Sequence, residues 1–124
     1  MTAARYDLVI DQGSDFAIEF TVSEAGASKN LTNYYARSFI RPSKSSSTKT
    51  EEFNALIPDA TKAQGKITMS LTNQKSAAIT AGTYFYDLEI YTTQEVDGQI
   101  VDDYVSRLLQ GTVTVTQEVT RAQS

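Results

Sequence analysis

The sequence predicts a small all-β domain. Apolar and polar residues alternate with period two through most of the patterned segments, and those segments are rich in Val, Ile, Tyr, Phe and Thr. Helical periodicity is almost missing. A chain of 124 residues is within the usual size of one domain, so we expect residues 1–124 to form a single domain around one hydrophobic core.

The first half of the chain contains two predicted strands joined by a turn. Residues 6–10 and 16–22 alternate on either side of the turn-forming segment 11–14, which contains Gly13. Residues 23–30 contain few large apolar residues and are predicted to be a loop, with Leu31 covering the core beneath it.

Residues 34–41 form the next predicted strand, which must end at Pro42 because proline cannot donate to a sheet ladder. One set of side chains is expected to point inward: Tyr34, Ala36, Ser38 and Ile40. The other set is expected to point outward: Tyr35, Arg37, Phe39 and Arg41. The serine-rich run that follows, residues 43–50, has the composition of a mobile loop.

The second half begins with a short predicted strand at 52–57 and a clearly alternating strand at 66–71. Thr72 or Asn73 is expected to cap a single helical turn that continues to Ala78. Residues 83–92 show the strongest alternation in the chain and are predicted to be a central strand. Its core face is expected to hold Tyr84, Tyr86, Leu88 and Ile90.

The final predicted strands lie at 100–105 and 108–116. The Asp97-Gly98 pair favours a two-residue hairpin turn, so the segment 100–105 should return antiparallel to the central strand. Seven or eight short strands predict an antiparallel immunoglobulin-like β-sandwich, with a small barrel as the alternative. Residues 1–5 and 119–124 are expected to be extended tails.

Composition argues against several classes of function. The chain has no histidine and no cysteine, which removes the commonest general base, the commonest metal ligand, thiolate metal sites and disulfides. We therefore expect no enzyme activity and no cofactor. The net charge of −4 and the absence of a basic stripe argue against a nucleic-acid partner, and the lack of a long apolar run argues against a membrane partner.

Two sets of aspartates are close together in the sequence, and we interpret both as structural features and not as metal sites. Asp7, Asp11 and Asp15 are four residues apart, but strand geometry spreads them over more than roughly 20 Å, so we expect solvated turn carboxylates instead of a calcium loop. Asp97 and the pair Asp102-Asp103 are expected to mark a charged strand edge that discourages unwanted pairing.

Outward-facing aromatic residues are the best candidates for a binding surface. Several large rings fall on the face predicted to be wet, and two arginines share that face. The candidate interface residues are Tyr35, Arg37, Phe39, Arg41, Phe85 and Tyr91. They suit contact with a neighbouring subunit, although packing within the chain is the alternative for the aromatics, and local pairing with Asp87 or Glu89 is the alternative for the two arginines.

Four segments, in order, carry a resemblance to a known group of proteins. They are YDLVIDQGSDF (6–16), LTNYYARSFIRPS (31–43), AGTYFYDLEIY (81–91) and RLLQGTVTVTQEVTR (107–121), and together they cover about half of the chain. The set resembles a family of small structural proteins from the virions of tailed bacteriophages. Asn33 departs from the pattern, since the family often has glycine there, but asparagine also tolerates a left-handed turn.

The resemblance implies an immunoglobulin-like virion protein, made in the cytoplasm of the host bacterium and assembled in the tail, baseplate or neck region. It implies other virion structural proteins as partners, together with a homo-oligomer or multiple copies in a symmetric assembly, and it carries over no catalytic residue. A capsid decoration protein on the head surface is one alternative. A carbohydrate-binding module that uses Tyr35, Phe85 and Tyr91 is another.

Overall fold

The computed structural model describes residues 3–120. The helical parts are short, namely a 3₁₀ turn (Lys62–Gln64) and one α-helical turn, α1 (Asn73–Ala77). The strands are β1 (Ala4–Arg5), β2 (Leu8–Asp11), β3 (Phe16–Thr21), β4 (Ser23–Glu24), β5 (Ala27–Ser28), β6 (Tyr35–Arg41), β7 (Glu51–Leu56), β8 (Lys66–Leu71), β9 (Gly82–Val96) and β10 (Gln99–Thr116). The predicted all-β, immunoglobulin-like sandwich is confirmed.

Two layers of strands are joined through β7. One layer has the order β1 and β2, then β10, β9, β6 and β7, and the other has the order β7, β8 and β3. The first half of β7, to Phe53, pairs with β6, whereas its second half, from Asn54, pairs with β8. This strand therefore turns the corner between the two layers.

The pairing is mixed, which corrects the prediction of a purely antiparallel sandwich. β1 and β2 run parallel to β10, with Ala4 opposite Leu109 and Leu8 opposite Val113. Parallel partners need a long connection, and the first and last strands are separated by nearly the whole chain. Alternation alone cannot reveal the direction of a partner strand.

The hydrophobic core lies between the layers and follows the predicted alternation. Ser38 and Ile40 of β6 are buried, as are Leu88 and Ile90 of β9. Leu31 is also fully buried, as expected for a residue that covers the core. The core also contains the buried residues Leu8, Ile10, Phe53, Ile67, Met69, Leu71, Tyr86, Val113 and Val115.

The last two predicted strands, 100–105 and 108–116, are one continuous strand, so that prediction was wrong. β10 pairs with β9 along its whole length, with register shifts between Asp102 and Tyr104 and between Arg107 and Leu109. A bulge changes which side chains face the core, and the sequence pattern consequently looks interrupted. The central strand also extends beyond its predicted end at Thr92, to Val96.

Three local signals in the sequence, two for turns and one for a helix cap, predicted the backbone conformation correctly. Asp97 and Gly98 both have positive φ, 52° and 79°, as a two-residue turn between antiparallel strands requires. Asn33 adopts a φ of 70°, in the left-handed region expected for it. The side chain of Thr72 accepts a hydrogen bond from the backbone N–H of Lys75, which confirms the predicted helix cap.

The predicted loops and tails differ in outcome. Residues 23–30 contain the two-residue strands β4 and β5, not loop alone, whereas residues 43–50 form turns and bends without a strand. In the predicted N-terminal tail, β1 is held against β10. Residues 1–2 and 121–124 lie outside the described part of the chain.

Candidate protein-interaction surfaces

The regularly spaced aspartates Asp7, Asp11 and Asp15 have separate structural roles. Each accepts a hydrogen bond of 2.8–2.9 Å, Asp7 from Thr112 N, Asp11 from Thr116 Oγ1 and Asp15 from Asn73 N. These bonds tie the N-terminal strands to β10 and to α1. Within residues 3–120, no group of three or more acidic side chains is placed to hold a metal ion.

The outer face of β6 and β9 carries most of the predicted interface residues. The register places Tyr35 opposite Tyr91, Arg37 opposite Glu89 and Arg41 opposite Phe85. Cross-strand neighbours of this kind lie close enough for their side chains to touch. The rings of Tyr35 and Tyr91 lie 5.6 Å apart between centroids, and Tyr35 is the more open of the two, with 54% of its surface exposed.

Arg37 forms the centre of a small ionic network on this face. Its Nε donates to Oε1 of Glu89 at 2.9 Å, its Nη2 donates to Oδ2 of Asp102 at 3.0 Å, and its guanidinium lies 4.4 Å from the centroid of the Tyr91 ring. The hydrogen bond to Glu89 is the main cause that raises the pKa of Arg37. Arg37 thus pairs locally with Glu89, one of its two expected partners, and connects β6 to β10.

Phe39, Arg41 and Phe85 lie at the other end of the same face, around a cavity of about 190 Å³. We call it the basic pocket and define it by Arg5, Phe39, Arg41, Lys44, Phe85 and Arg107, which line it. Four of these six side chains are cationic. The other two are aromatic rings.

Cations cover the aromatic rings of the basic pocket. The guanidinium of Arg41 lies 5.5 Å from the ring centroid of Phe39, and Lys49 approaches the same ring at 4.6 Å. Lys44 lies 5.8 Å from the ring centroid of Phe85. Cation–π contacts of this kind explain why these rings are half-buried within a single chain, in agreement with the alternative of packing within the chain.

One carboxylate, Asp87, also lines the basic pocket. Its Oδ2 lies 3.2 Å from Nε of Arg107, yet desolvation by burial is the strongest influence and raises the pKa of Asp87. The pocket therefore combines four cations with one anion that is partly neutralised by Arg107. Such a site is suited to an acidic group from outside the chain.

A second surface lies at the far end of β9 and β10, where these two strands continue without a third. β6 begins opposite Tyr91, and β1 pairs with β10 only from Leu109 onward, so residues 92–105 form a two-stranded arm. Every residue from 93 to 105 is exposed. The arm contains five of the ten large apolar side chains that are exposed in the described residues: Val96, Ile100, Val101, Tyr104 and Val105.

The arm is also uniformly acidic. Residues 92–105 contain Glu95, Asp97, Asp102 and Asp103, but no lysine or arginine. Asp102 is held by Arg37 at the base of the arm. Exposed apolar residues on an unpaired two-stranded ribbon are a common basis for association with another chain.

The structure brings the predicted interface residues together on one sheet face but divides them between two clusters. Tyr35, Arg37 and Tyr91 lie near the base of the arm, whereas Phe39, Arg41 and Phe85 lie at the basic pocket. The sequence predicted the Asp97-Gly98 hairpin and the antiparallel return of residues 100–105, and both are confirmed. It did not show that the two strands continue as an arm beyond their neighbours.

Comparisons with known proteins give a fold likeness. The N-terminal domain of phage TP901-1 ORF48 matches with a TM-score of 0.50 and 13% sequence identity, over 94% of this chain and 100% of that chain. A chain in the crystal structure of ICOS in complex with ICOS-L and an anti ICOS-L VNAR domain matches with a TM-score of 0.45 and 15% identity, over 92% of this chain and 56% of that chain.

No protein-family model and no curated protein sequence matches this chain. Neither helical segment of residues 3–120 has the length and apolar character that a membrane-spanning helix requires. At 13% identity, the match to the phage domain shows a likeness of fold alone, over almost the full length of both chains.

Proposed function

We propose that this chain is a structural protein of a bacteriophage particle that assembles through protein–protein contacts in the tail, baseplate or neck region. The observation that carries the proposal is the arm, which leaves five large apolar side chains between 38% and 67% exposed, although the Tyr104 ring packs edge-to-face on Tyr34. An isolated domain gains nothing from such an extension, whereas a subunit of an assembly buries it against a neighbour.

Two further observations support a phage particle in particular. Four ordered segments of the sequence resemble small virion proteins of tailed phages, and the sandwich shares its fold with a domain of a phage protein. The partners under this proposal are other virion proteins and further copies of the same chain. The role is binding and assembly, not catalysis, and requires no cofactor.

Mass spectrometry of density-purified particles of the encoding phage tests this proposal. We expect peptides of this chain at a fixed ratio to the major shell protein, and a copy number that is a small multiple of the rotational symmetry of the tail. Absence of the chain from purified particles would contradict the proposal.

The same measurement discriminates the first alternative, a decoration protein on the head surface. A decoration protein would be present in a number comparable to that of the shell protein. Tail fractions separated from heads provide the control, since a tail or baseplate component is expected in the tail fraction and a decoration protein in the head fraction.

The second alternative, a carbohydrate-binding module, finds less support in the contacts. Of its three proposed residues, Tyr91 is covered on one face by Arg37, and Phe85 is approached by Lys44. Tyr35 is the most open of the three rings. Calorimetric titration with polysaccharides of the host envelope tests this alternative, and binding that is lost in Tyr35→Ala would favour it.

A further inference from the structure

Charged side chains without an ionic partner lie in two separate regions of the described residues. The unpaired cations lie at the basic pocket, and most of the unpaired carboxylates lie on the arm. The sequence has 11 lysines and arginines, all of which except Arg121 lie in residues 3–120. Within that range, every one has a carboxylate within 4.0 Å except Arg41 and Lys44. Both of these cations line the basic pocket.

The unpaired anions are concentrated at the arm. Among the described residues, four carboxylates have neither an ion pair within 4.0 Å nor a side-chain hydrogen bond, and three of them belong to residues 92–105: Glu95, Asp97 and Asp103, with Glu118 as the fourth. A net charge of −4 means that acidic residues outnumber basic ones, but it does not require the excess to lie on one two-stranded ribbon. The arrangement gives one molecule a negative protrusion and a positive cavity.

The protrusion and the cavity of one molecule cannot meet each other. Phe85 of the pocket and Asp97 at the tip of the arm are 12 residues apart, and β9 joins them as continuous strand paired with β10 as far as Val96. At roughly 3.3 Å per residue, the separation is about 40 Å. The charges of the arm therefore cannot pair with the basic pocket of the same molecule.

We propose that the tip of the arm of one copy docks in the basic pocket of the next copy, an inference that rests on the proposed role as a multi-copy virion protein. The carboxylate of Asp97 fits between Arg41 and Lys44, while a neighbouring apolar side chain such as Ile100 covers the ring of Phe85. The contact is heterologous, because it joins two different surfaces, and repeated contacts build a ring or a filament.

The chemistry of the pocket suits this occupant. The Arg41 guanidinium lies over the Phe39 ring, which fixes its plane and leaves its edge free to bind a carboxylate with two parallel hydrogen bonds. The cavity of about 190 Å³ accommodates side chains from the tip, but not the whole ribbon. The apolar residues farther along the arm are then free to pack on the surface beside the pocket.

A charge-swap experiment on the full chain tests the proposal. In the pocket variant, Arg41→Glu and Lys44→Glu make the pocket acidic. In the arm variant, Glu95→Lys, Asp97→Lys and Asp103→Lys make the arm basic. Each variant alone is expected to associate at least tenfold more weakly than the wild type in sedimentation equilibrium, because arm and pocket then repel.

An equimolar mixture of the two variants is expected to regain association, since each arm then faces a pocket of opposite charge. All five substitutions lie on exposed or half-exposed side chains, and the thermal unfolding midpoint of each variant provides the check of folding. A wild type that stays monomeric at high protein concentration and low salt, or a mixture that does not associate, would overturn the proposal.

Cysteine cross-linking gives a second readout, because the natural chain contains no cysteine. Ser43 lines the pocket, and Gln99 lies beside the tip of the arm. The double variant Ser43→Cys, Gln99→Cys is expected to form covalent oligomers larger than a dimer on mild oxidation. The control pairs Gln99→Cys with Ala60→Cys, which is exposed but does not line the pocket, and should stop at the level of random cross-links.

These outcomes are separable from those of the proposed function. If the chain is present in purified particles but neither associates nor cross-links through arm and pocket, the docking proposal is wrong and the virion role stands. If it associates in solution but is absent from particles, the docking contact is real and the virion role is wrong.

Discussion

The guanidinium of Arg37 donates a hydrogen bond to the carboxylate of Asp102 across the intervening strand β9, at a distance of 3.0 Å between Nη2 and Oδ2. Arg37 belongs to β6 of the sandwich, whereas Asp102 belongs to the arm. The bond consequently braces the base of a ribbon that extends into solvent. It is one contact that links the arm to the sandwich.

Breaking this brace should loosen the arm without unfolding the sandwich. For Arg37→Met and Asp102→Asn, a double-mutant cycle is expected to give a coupling energy of about 0.5 kcal/mol, because the pair is partly exposed. Amide hydrogen exchange should accelerate at residues 92–105. The pair Lys49 and Glu52 is the matched control, and breaking it should leave exchange in the arm unchanged.

Tyr86 should hold the N-terminal segment against the sheet. Its hydroxyl donates to the carbonyl oxygen of Tyr6 at 2.6 Å, and burial raises the pKa of Tyr86 to about 12. Tyr86→Phe is expected to lower the free energy of unfolding by about 1 kcal/mol, as judged by urea denaturation. Tyr35→Phe, at an exposed ring, is the control and should have little effect.

The raised pKa also predicts the response of Tyr86 to alkali. The neutral form is favoured in the folded state, so its contribution to stability is complete below the ordinary pKa of 10.0 and is lost as the pH rises through about 12. In a spectrophotometric titration of the wild type, one tyrosine should ionise at a higher pH than the others. This last ionisation step should be missing in Tyr86→Phe. A wild type whose tyrosines all ionise near pH 10 would contradict this.

Asp7 and Asp87 should affect acid stability in opposite directions. A backbone hydrogen bond from Thr112 lowers the pKa of Asp7, so its stabilising effect is present above the usual value of 3.8 and is lost as the pH falls through its lower folded-state pKa. Desolvation raises the pKa of Asp87, so its proton-bound form favours folding, and this advantage is lost as the pH rises through its raised pKa.

Urea midpoints measured as a function of pH test these signs. Asp7→Asn should be less stable than the wild type above pH 3.8, and the difference should shrink in stronger acid. Asp87→Asn should gain stability relative to the wild type as the pH rises above 3.8. Parallel curves for the two variants would show that the assigned causes are wrong.

Gly111 marks the closest approach between β10 and the N-terminal segment. A Cβ atom at this position would meet the backbone carbonyl of Tyr6, which cannot move without disturbing the parallel pairing. Gly111→Ala is therefore expected to cost about 2 kcal/mol in the free energy of unfolding. Thr114→Ala, farther along the same strand, is the control and should cost less than about 1 kcal/mol.

Alternation predicted the sandwich and its core face well. The inward set that includes Leu88 and Ile90 is buried, because a half-buried strand must alternate and this pattern is readable from sequence. The local pairing of Arg37 was also predictable, since Glu89 lies one strand away in register. These features depend on neighbouring strands alone.

The two surfaces were less predictable because they depend on long-range geometry. In the basic pocket, the antiparallel pairings of β6, β9 and β10 place Arg41 near Arg107, and the parallel pairing of β1 with β10 adds Arg5. The period-two alternation of side chains does not show whether two paired strands run parallel or antiparallel. The arm was hidden because two bulges in β10 shift the phase of the alternation, so one long strand looked like two short ones.

A reconstruction of intact particles of the encoding phage by electron cryo-microscopy would show whether the arm is an assembly surface of a virion protein. We expect symmetry-related density that fits this sandwich in the tail, baseplate or neck region, with residues 92–105 buried against a neighbouring subunit. A particle with no such density, or a fitted sandwich whose arm projects into empty solvent, would contradict it.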